Sequence, residues 1–237
     1  MSWGAYGAPM IHAELSDRGV HVGRKRVARL MKAAGLQGVS RRRKAWTTRR
    51  DANSRPAPDL VDRDFRVERP DRLWVADITF VATWSGFVHV AFIVDVFARY
   101  IVGWRVSRSL KTDLVLDALD QALWSRSTTD KLIHHSDCGS QYLSIHYTER
   151  LAEAGIESSV GSVGDSYDNA LAETIIGLFK TEVIRNRGPW KNIDEVEYAT
   201  LEWVDWFNNR RILEPIGNVP PAEYELMYYR QLEASCE

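Results

Sequence analysis

Asp77, Asp137 and Glu173 are the three acids of this chain whose surroundings point to chemistry rather than solvation. Asp77 sits inside the apolar run Leu73-Trp74-Val75-Ala76-Asp77-Ile78-Thr79-Phe80, which reads as a buried strand. Asp137 ends a second run that starts at Leu132, just before a Cys-Gly-Ser turn. Glu173 lies early in a helical stretch from Asn169 to Ile184. A hard divalent cation takes oxygen ligands in octahedral geometry. Three carboxylates can hold two such ions about four ångströms apart, the arrangement that carries in-line phosphoryl transfer. An acid within a buried strand is costly unless it is paired or metal-bound, which singles out Asp77. Taken alone, Asp77 fits equally well a carboxylate that only hydrogen-bonds nearby backbone.

The helix around Glu173 adds a second signal. Asn169, Glu173 and Lys180 are spaced i, i+4 and i+11, so they share one face with Gly177. A lysine two turns beyond the acid is placed to meet DNA as it approaches the metals, and Gly177 leaves room for a backbone. Leu171, Ile175 and Leu178 form the opposing stripe and are expected in the core. His134 and His135 are neighbours on a strand and point to opposite faces, one packed and one lining the site. Asp95, at a strand end beside a turn, reads as structural.

These acids need a framework. With 237 residues, 45% of them hydrophobic and 27% charged, the chain can bury one good core plus a smaller appended unit. Strands are predicted near 72–82, 87–96 and 99–107, the first two joined by a Trp84-Ser85-Gly86 hairpin turn. Thr112 is the expected N-cap of a helix to about Trp124 that turns Leu114, Val115, Ala118, Leu119 and Ala122 inward. A strand at 131–136, a helix from Ser144 to Ala154 and a short strand at 156–159 follow. The Gly- and Ser-rich stretch 160–167 reads as a loop, and helices are expected over 169–185 and 193–209. This order describes a mixed-sheet α/β domain over residues 67–237.

Charge divides the chain unevenly. Residues 1–66 hold 15 Lys and Arg against 6 acids, whereas residues 67–237 hold 16 against 26. A basic head on an acidic body suits contact with a polyanion, although uneven charge also fits a merely solvated surface. The head, residues 1–46, has two helical patterns, Pro9–Arg18 with Ile11 and Leu15 inward, and 24–34 ending at Gly35. In the second, Val27, Leu30, Met31 and Ala34 make one face and Lys25, Arg29 and Lys32 the other. A basic outer face on two short helices is compatible with a helix-turn-helix unit on DNA. Arg41, Arg42 and Arg43 could neutralise phosphates without reading sequence. The polar, proline-containing residues 47–66 read as a linker. No apolar run is long enough to span a membrane, and the first residues show no secretion signal. Cys138 and Cys236 offer neither a disulfide framework nor zinc spacing, which suits a reducing cytoplasm.

With those residues in place, the chain resembles the second-frame (OrfB) product of an insertion-sequence transposase with a retroviral-integrase-type core. The likeness is carried by Arg72 to Phe80, Val94 to Trp104, His134 to Tyr142, Gly164 to Glu173, Asn208-Asn-Arg-Arg211 and Pro220 to Tyr224. Thirty-five residues separate Asp137 from Glu173, the spacing of the Asp-Asp-Glu family, and the family's lysine falls seven beyond, at Lys180. In the head, Ile11 to Leu15 and Gly23 to Leu30 match the small helical domain that precedes this core. The chain departs from the family pattern at Met10 and Cys138, where a basic residue is usual, and at Leu213, where a histidine is usual.

The resemblance implies a ribonuclease-H-like, five-stranded mixed sheet flanked by helices behind a small helical domain. It implies Asp77, Asp137 and Glu173 as ligands of two Mg²⁺ ions, with Mn²⁺ able to substitute. It implies cutting and joining of double-stranded DNA at element ends and target, using water and then a freed 3′-hydroxyl as nucleophile. Asn169 and Lys180 join the basic residues of the head as expected DNA contacts. A homo-oligomer on DNA, a first-frame (OrfA-type) partner and a bacterial, nucleoid-associated cytoplasmic setting are also implied. Such proteins usually begin several tens of residues before the equivalent of Met1, so a partial copy is expected. Two other readings stay open on the sequence: a plain ribonuclease-H-type nuclease, and a non-catalytic DNA-binding repressor.

Overall fold

The computed structural model describes residues 3–39, 67–126, 131–137, 139–160 and 169–235. The expected linker, Arg41–Arg43 and the stretch 161–167 lie outside the described residues. Five strands, β1 (Leu73–Thr83), β2 (Gly86–Asp95), β3 (Ile101–Ser107), β4 (Ile133–Ser136) and β5 (Glu157–Val160), form one sheet in the order β3-β2-β1-β4-β5. The first three are antiparallel, with Thr83 paired to Gly86 at the hairpin, whereas β1–β4 and β4–β5 are parallel. The mixed topology follows from the connections. Tight turns join β1 to β2 to β3, and helices α3 (Thr112–Ser125) and α4 (Ile145–Glu153) carry the crossovers.

Alternation along β1 splits the core into two layers. Trp74 and Ala76 pack with Leu114, Leu119, Tyr142, Tyr147 and Leu151 on the side of α3 and α4. Val75 and Val81 pack on the other side, with Phe179, Trp203 and Phe207. That second layer is built by α5 (Ala170–Phe179), a π-turn (Lys180–Ile184), the short α6 (Arg185–Arg187) and α7 (Ile193–Asn209). A 3₁₀ turn (Glu214–Ile216) and α8 (Pro221–Ser235) complete this half. The five inward residues expected on α3 are all buried. Its cap differs, however: Lys111 occupies the cap position without a side-chain bond, and Thr112 is already helical. On α5 the buried stripe is Ala172, Ile175, Ile176 and Phe179, while Leu171 and Leu178 are half-buried. The stripe keeps ordinary helical spacing, i, i+3, i+4 and i+7, and is rotated so that Leu171 and Leu178 fall at its edges.

The head consists of α1 (Ala8–Asp17) and α2 (Arg24–Ala33). Val27 is the one buried residue of α2 and Leu30 is 53% exposed, so the predicted apolar face is mostly open. Two ten-residue helices cannot enclose a full stripe between them. The head is fastened to the core instead through the residues before α1. Trp3 stacks on Trp206 at 5.5 Å, Arg187 lies over the Trp3 ring at 3.8 Å, and the Tyr6 hydroxyl accepts the Ile212 N–H at 2.9 Å.

Two buried ionic clusters brace the body. Asp95 accepts the N–H groups of Asp71 (2.7 Å) and Phe97 (2.8 Å), and Trp74 Nε1 donates to Asp71 at 3.0 Å. Arg126 joins this group to α8, contacting Asp71 at 3.6 Å and gripping the Glu225 carboxylate through both terminal nitrogens. The second cluster lies in the π-turn. Glu182 accepts Arg211 Nη2 at 2.6 Å and Trp203 Nε1 at 3.0 Å, and both charged residues are 5% exposed. Among the described residues no helix is long and apolar enough to cross a membrane.

Candidate active site

Asp77 and Asp137 emerge side by side from paired strands. The last parallel pair between β1 and β4 is Ala76 with Ser136, so each acid is the next residue on its strand. Asp77 remains paired to Phe92 on β2 and is half-buried, and its Oδ1 accepts the Ile78 N–H at 2.7 Å. Asp137 is exposed, and its Oδ1 accepts the Gly139 N–H at 3.1 Å. Glu173 stands in the first turn of α5, exposed, on the sheet face to which Asp77 belongs.

Asn169 is what ties α5 to the strand. Its carbonyl accepts the Glu173 N–H at 3.0 Å, and its amide donates to the Ala76 carbonyl at 2.9 Å. The helix start is therefore fixed to the residue immediately before Asp77. The sequence predicts an outward, DNA-facing Asn169, but its side chain is buried. The helix starts at residue 170, so position 169 belongs to the cap and turns inward.

Electrostatics couple the three acids. Burial, then the nearby carboxylates of Asp137 and Glu173, push the Asp77 carboxyl up to about 7, against lowering by the Ile78 N–H and Lys180. Burial also raises Glu173. Lys180 reaches across to the Phe80 ring at 5.1 Å, three residues beyond Asp77. Among the described residues no three His, Cys, Asp or Glu side chains stand close enough together to hold an ion. The donor set nevertheless fits hard divalent cations. It consists of carboxylate oxygens, and Asp77 is raised by burial and, after it, by like charges that such ions would neutralise.

Other expected residues fall elsewhere. His134 and His135 are both buried, bonded to the Tyr147 hydroxyl (2.9 Å) and to Ser159 Oγ (3.0 Å), so neither lines the site. Strand β4 is covered on both faces, which packs both rings. Lys25, Arg29 and Lys32 are exposed on α2, remote in sequence from the acids. Lys32 borders a groove of about 400 Å³ with Met31 and Leu36. The sequence pattern does not disclose the Glu182–Arg211 lock that holds the turn after Lys180. The signal available is an acid amid the apolar residues Phe179 and Val183, together with the Asn208-Asn-Arg-Arg211 motif.

Comparison with known proteins identifies the family. Residues 67–166 match an integrase core domain model, 154–221 match a second integrase core model, and 1–44 match an HTH-like domain. The transposase for insertion sequence element IS629 of Shigella sonnei is 57% identical over 96% of this chain and 76% of its own length. A putative transposase for insertion sequence element IS986/IS6110 of Mycobacterium tuberculosis is 53% identical over 97% of this chain and 84% of its own. The solved HTLV-2 integrase catalytic core, in complex with magnesium, superposes with a TM-score of 0.54 at 17% identity, covering 68% of this chain and 99% of that one. The five-stranded mixed sheet and the paired acids at its end thus belong to a member of the insertion-sequence transposase family built on an integrase core.

Proposed function

We propose that this transposase cuts and joins DNA strands at the ends of its element by two-metal phosphoryl transfer, with Asp77, Asp137 and Glu173 as the ligands of Mg²⁺ or Mn²⁺. The reading is supported by Asp77 and Asp137 following paired positions of β1 and β4, and by Asp137 and Glu173 being among the groups that, after burial, push Asp77 up to about 7. Bound divalent ions would activate the attacking oxygen and stabilise the leaving one. The chain's own contribution is placement. The ladder between β1 and β4 fixes two acids relative to each other, and Asn169 fixes the helix bearing the third. Lys180 supplies positive charge beside Asp77 for a phosphate of the approaching strand.

In the same reading, residues 1–46 form the DNA-binding head, 47–66 a linker and 67–237 the catalytic core. Lys25, Arg29 and Lys32, with Arg41, Arg42 and Arg43, neutralise DNA phosphates. The active assembly is a homo-oligomer on the element's terminal repeats, helped by a first-frame partner, in the bacterial cytoplasm at the nucleoid. The test is a strand-transfer assay on a duplex carrying the terminal repeat, with and without that partner. Joined products that require Mg²⁺ and vanish in Asp77→Asn or Glu173→Gln are expected. Nicks without joining would assign a plain nuclease, and products unchanged by either substitution would remove the acids from the chemistry.

A further inference from the structure

The β1–β2 hairpin reaches past the helices that cover the rest of the sheet. On the face of Trp74 and Ala76, packing against α3 and α4 ends at the partly buried Ile78. Phe80 and Ala82 come next on that face, and the register sets Phe87 of β2 opposite Ala82. Phe80 and Phe87 are 59% and 62% exposed, and their rings meet edge to face with centroids 5.7 Å apart. A single exposed aromatic residue calls for no explanation. This pair carries a cation as well: Lys180 Nζ stands 5.1 Å from the centre of the Phe80 ring.

Two contacts at opposite ends of α5 tie the rings to the acids. Before the helix, the Asn169 amide donates to the Ala76 carbonyl at 2.9 Å, and after it Lys180 reaches Phe80. Helical rise carries residue 169 to residue 180 in about 16 Å, close to the distance of about 13 Å that a strand takes from 76 to 80. Helix α5 therefore runs beside β1 from the residue before Asp77 to Phe80. Strand β4 pairs with β1 only as far as Ala76, so among the described residues this part of β1 has an edge without a neighbouring strand. Asp77 and Phe80 project to opposite faces, and Lys180 crosses that edge from the α5 side to the ring.

We propose that Phe80 and Phe87 are a stacking surface for an unpaired base of the DNA strand whose phosphodiester lies at Asp77, with Lys180 taking a phosphate of the same strand. The assignment rests on the strand-transfer reading above. Phe80 lies about 10 Å along β1 from Asp77, which is about three nucleotides at stacked spacing and fewer once the bases splay. An aromatic ring takes any base by its face, and a cation beside the ring suits the phosphate attached to that base. Bases inside a duplex have both faces covered by their neighbours, so the occupant is a base freed at a strand end.

The test is DNA binding by the full chain in EDTA, read by fluorescence anisotropy. The probes are a terminal-repeat duplex with a 3′ oligothymidine overhang and the same duplex with an overhang of abasic sites. Wild type is expected to bind the thymine overhang about 5–150-fold more tightly, the gain of one stacked base. Phe80→Leu and Phe87→Leu keep an apolar side chain without the ring, and each should shrink that ratio toward one, whereas Phe80→Tyr should retain it. A wild-type ratio of one, or a ratio that neither leucine variant changes, overturns the assignment. So does a leucine variant that keeps the ratio but sediments as a smaller species than wild type, which would make the rings a contact between copies. Strand transfer by Asp77→Asn in Mg²⁺ is measured alongside. Persistent transfer there overturns the metal-site reading and the placement of the phosphodiester at Asp77, while the ratio in EDTA decides the rings by themselves.

Discussion

Asp77 and Asp95 lie on adjoining strands, and burial is the main cause that pushes both carboxyls up to about 7. Their surroundings diverge. Asp95 receives two backbone N–H groups, and Arg126 stands beside it in a cluster closed by Asp71 and Glu225. Asp77 receives the Ile78 N–H and meets two further acids, with Lys180 acting against them and an unpartnered Asn169 oxygen at the start of α5. The first acid is a fastener that the fold has already satisfied. The second is left largely among like charges, as the proposed metal site would require.

Several substitutions can break that contrast. The largest effect is expected from Asp77→Asn, which should reduce strand transfer to background while leaving metal-free stability intact or improved. Equal activity in mutant and wild type would erase the distinction. Arg126→Ala should leave the buried Asp71 and the partly buried Glu225 without their cation and cost about 3–5 kcal/mol in urea denaturation. A loss within the error of the measurement would mean that the cluster is decorative.

The pH response sharpens the comparison. Folded Asp77 holds its proton up to about 7, whereas its ordinary value is 3.8. The folded state therefore binds more protons across that window, and metal-free stability falls as pH rises through it. Asp77→Asn should flatten this slope, leaving the share due to Asp95, and melting curves between about pH 4 and pH 8 read it out. Mg²⁺ should reverse the trend, because its affinity grows as Asp77 loses its proton. The smallest effect belongs to the head. Charge reversal at Lys25 and Arg29 should weaken DNA binding and flatten its salt dependence by about 0.9 in log–log slope for each phosphate no longer neutralised. Unchanged affinity would mark that face as solvated.

Local pattern exposes most of the framework. Apolar alternation and the Trp84–Gly86 turn locate all three antiparallel strands, and the 3.6-residue period locates α3, α4 and α7. The acids are legible because a charge within a strand of Val, Ile and Trp violates its surroundings. What stays hidden depends on distant partners. The inward turn of Asn169 requires the Ala76 carbonyl, 93 residues away. The burial of both His134 and His135 requires Tyr147 on one face and Ser159 on the other. No helix is predicted beyond residue 209, because α8 lacks a strong apolar stripe and is held by Arg126–Glu225 and by Tyr224 against Phe97 at 5.1 Å.

The π-turn from Lys180 to Ile184 has one further consequence, for inheritance rather than chemistry. Each α-helical residue advances the chain by about 100°, and the wider turn absorbs one residue more than an α-turn would. Removing a single codon there would restore an ordinary helix while swinging Glu182 off Arg211, although no other named side chain need be lost. A one-residue deletion between 181 and 184 should therefore be harsher than most substitutions in the same stretch, so the length of this turn is constrained by geometry at a point that holds none of the three acids.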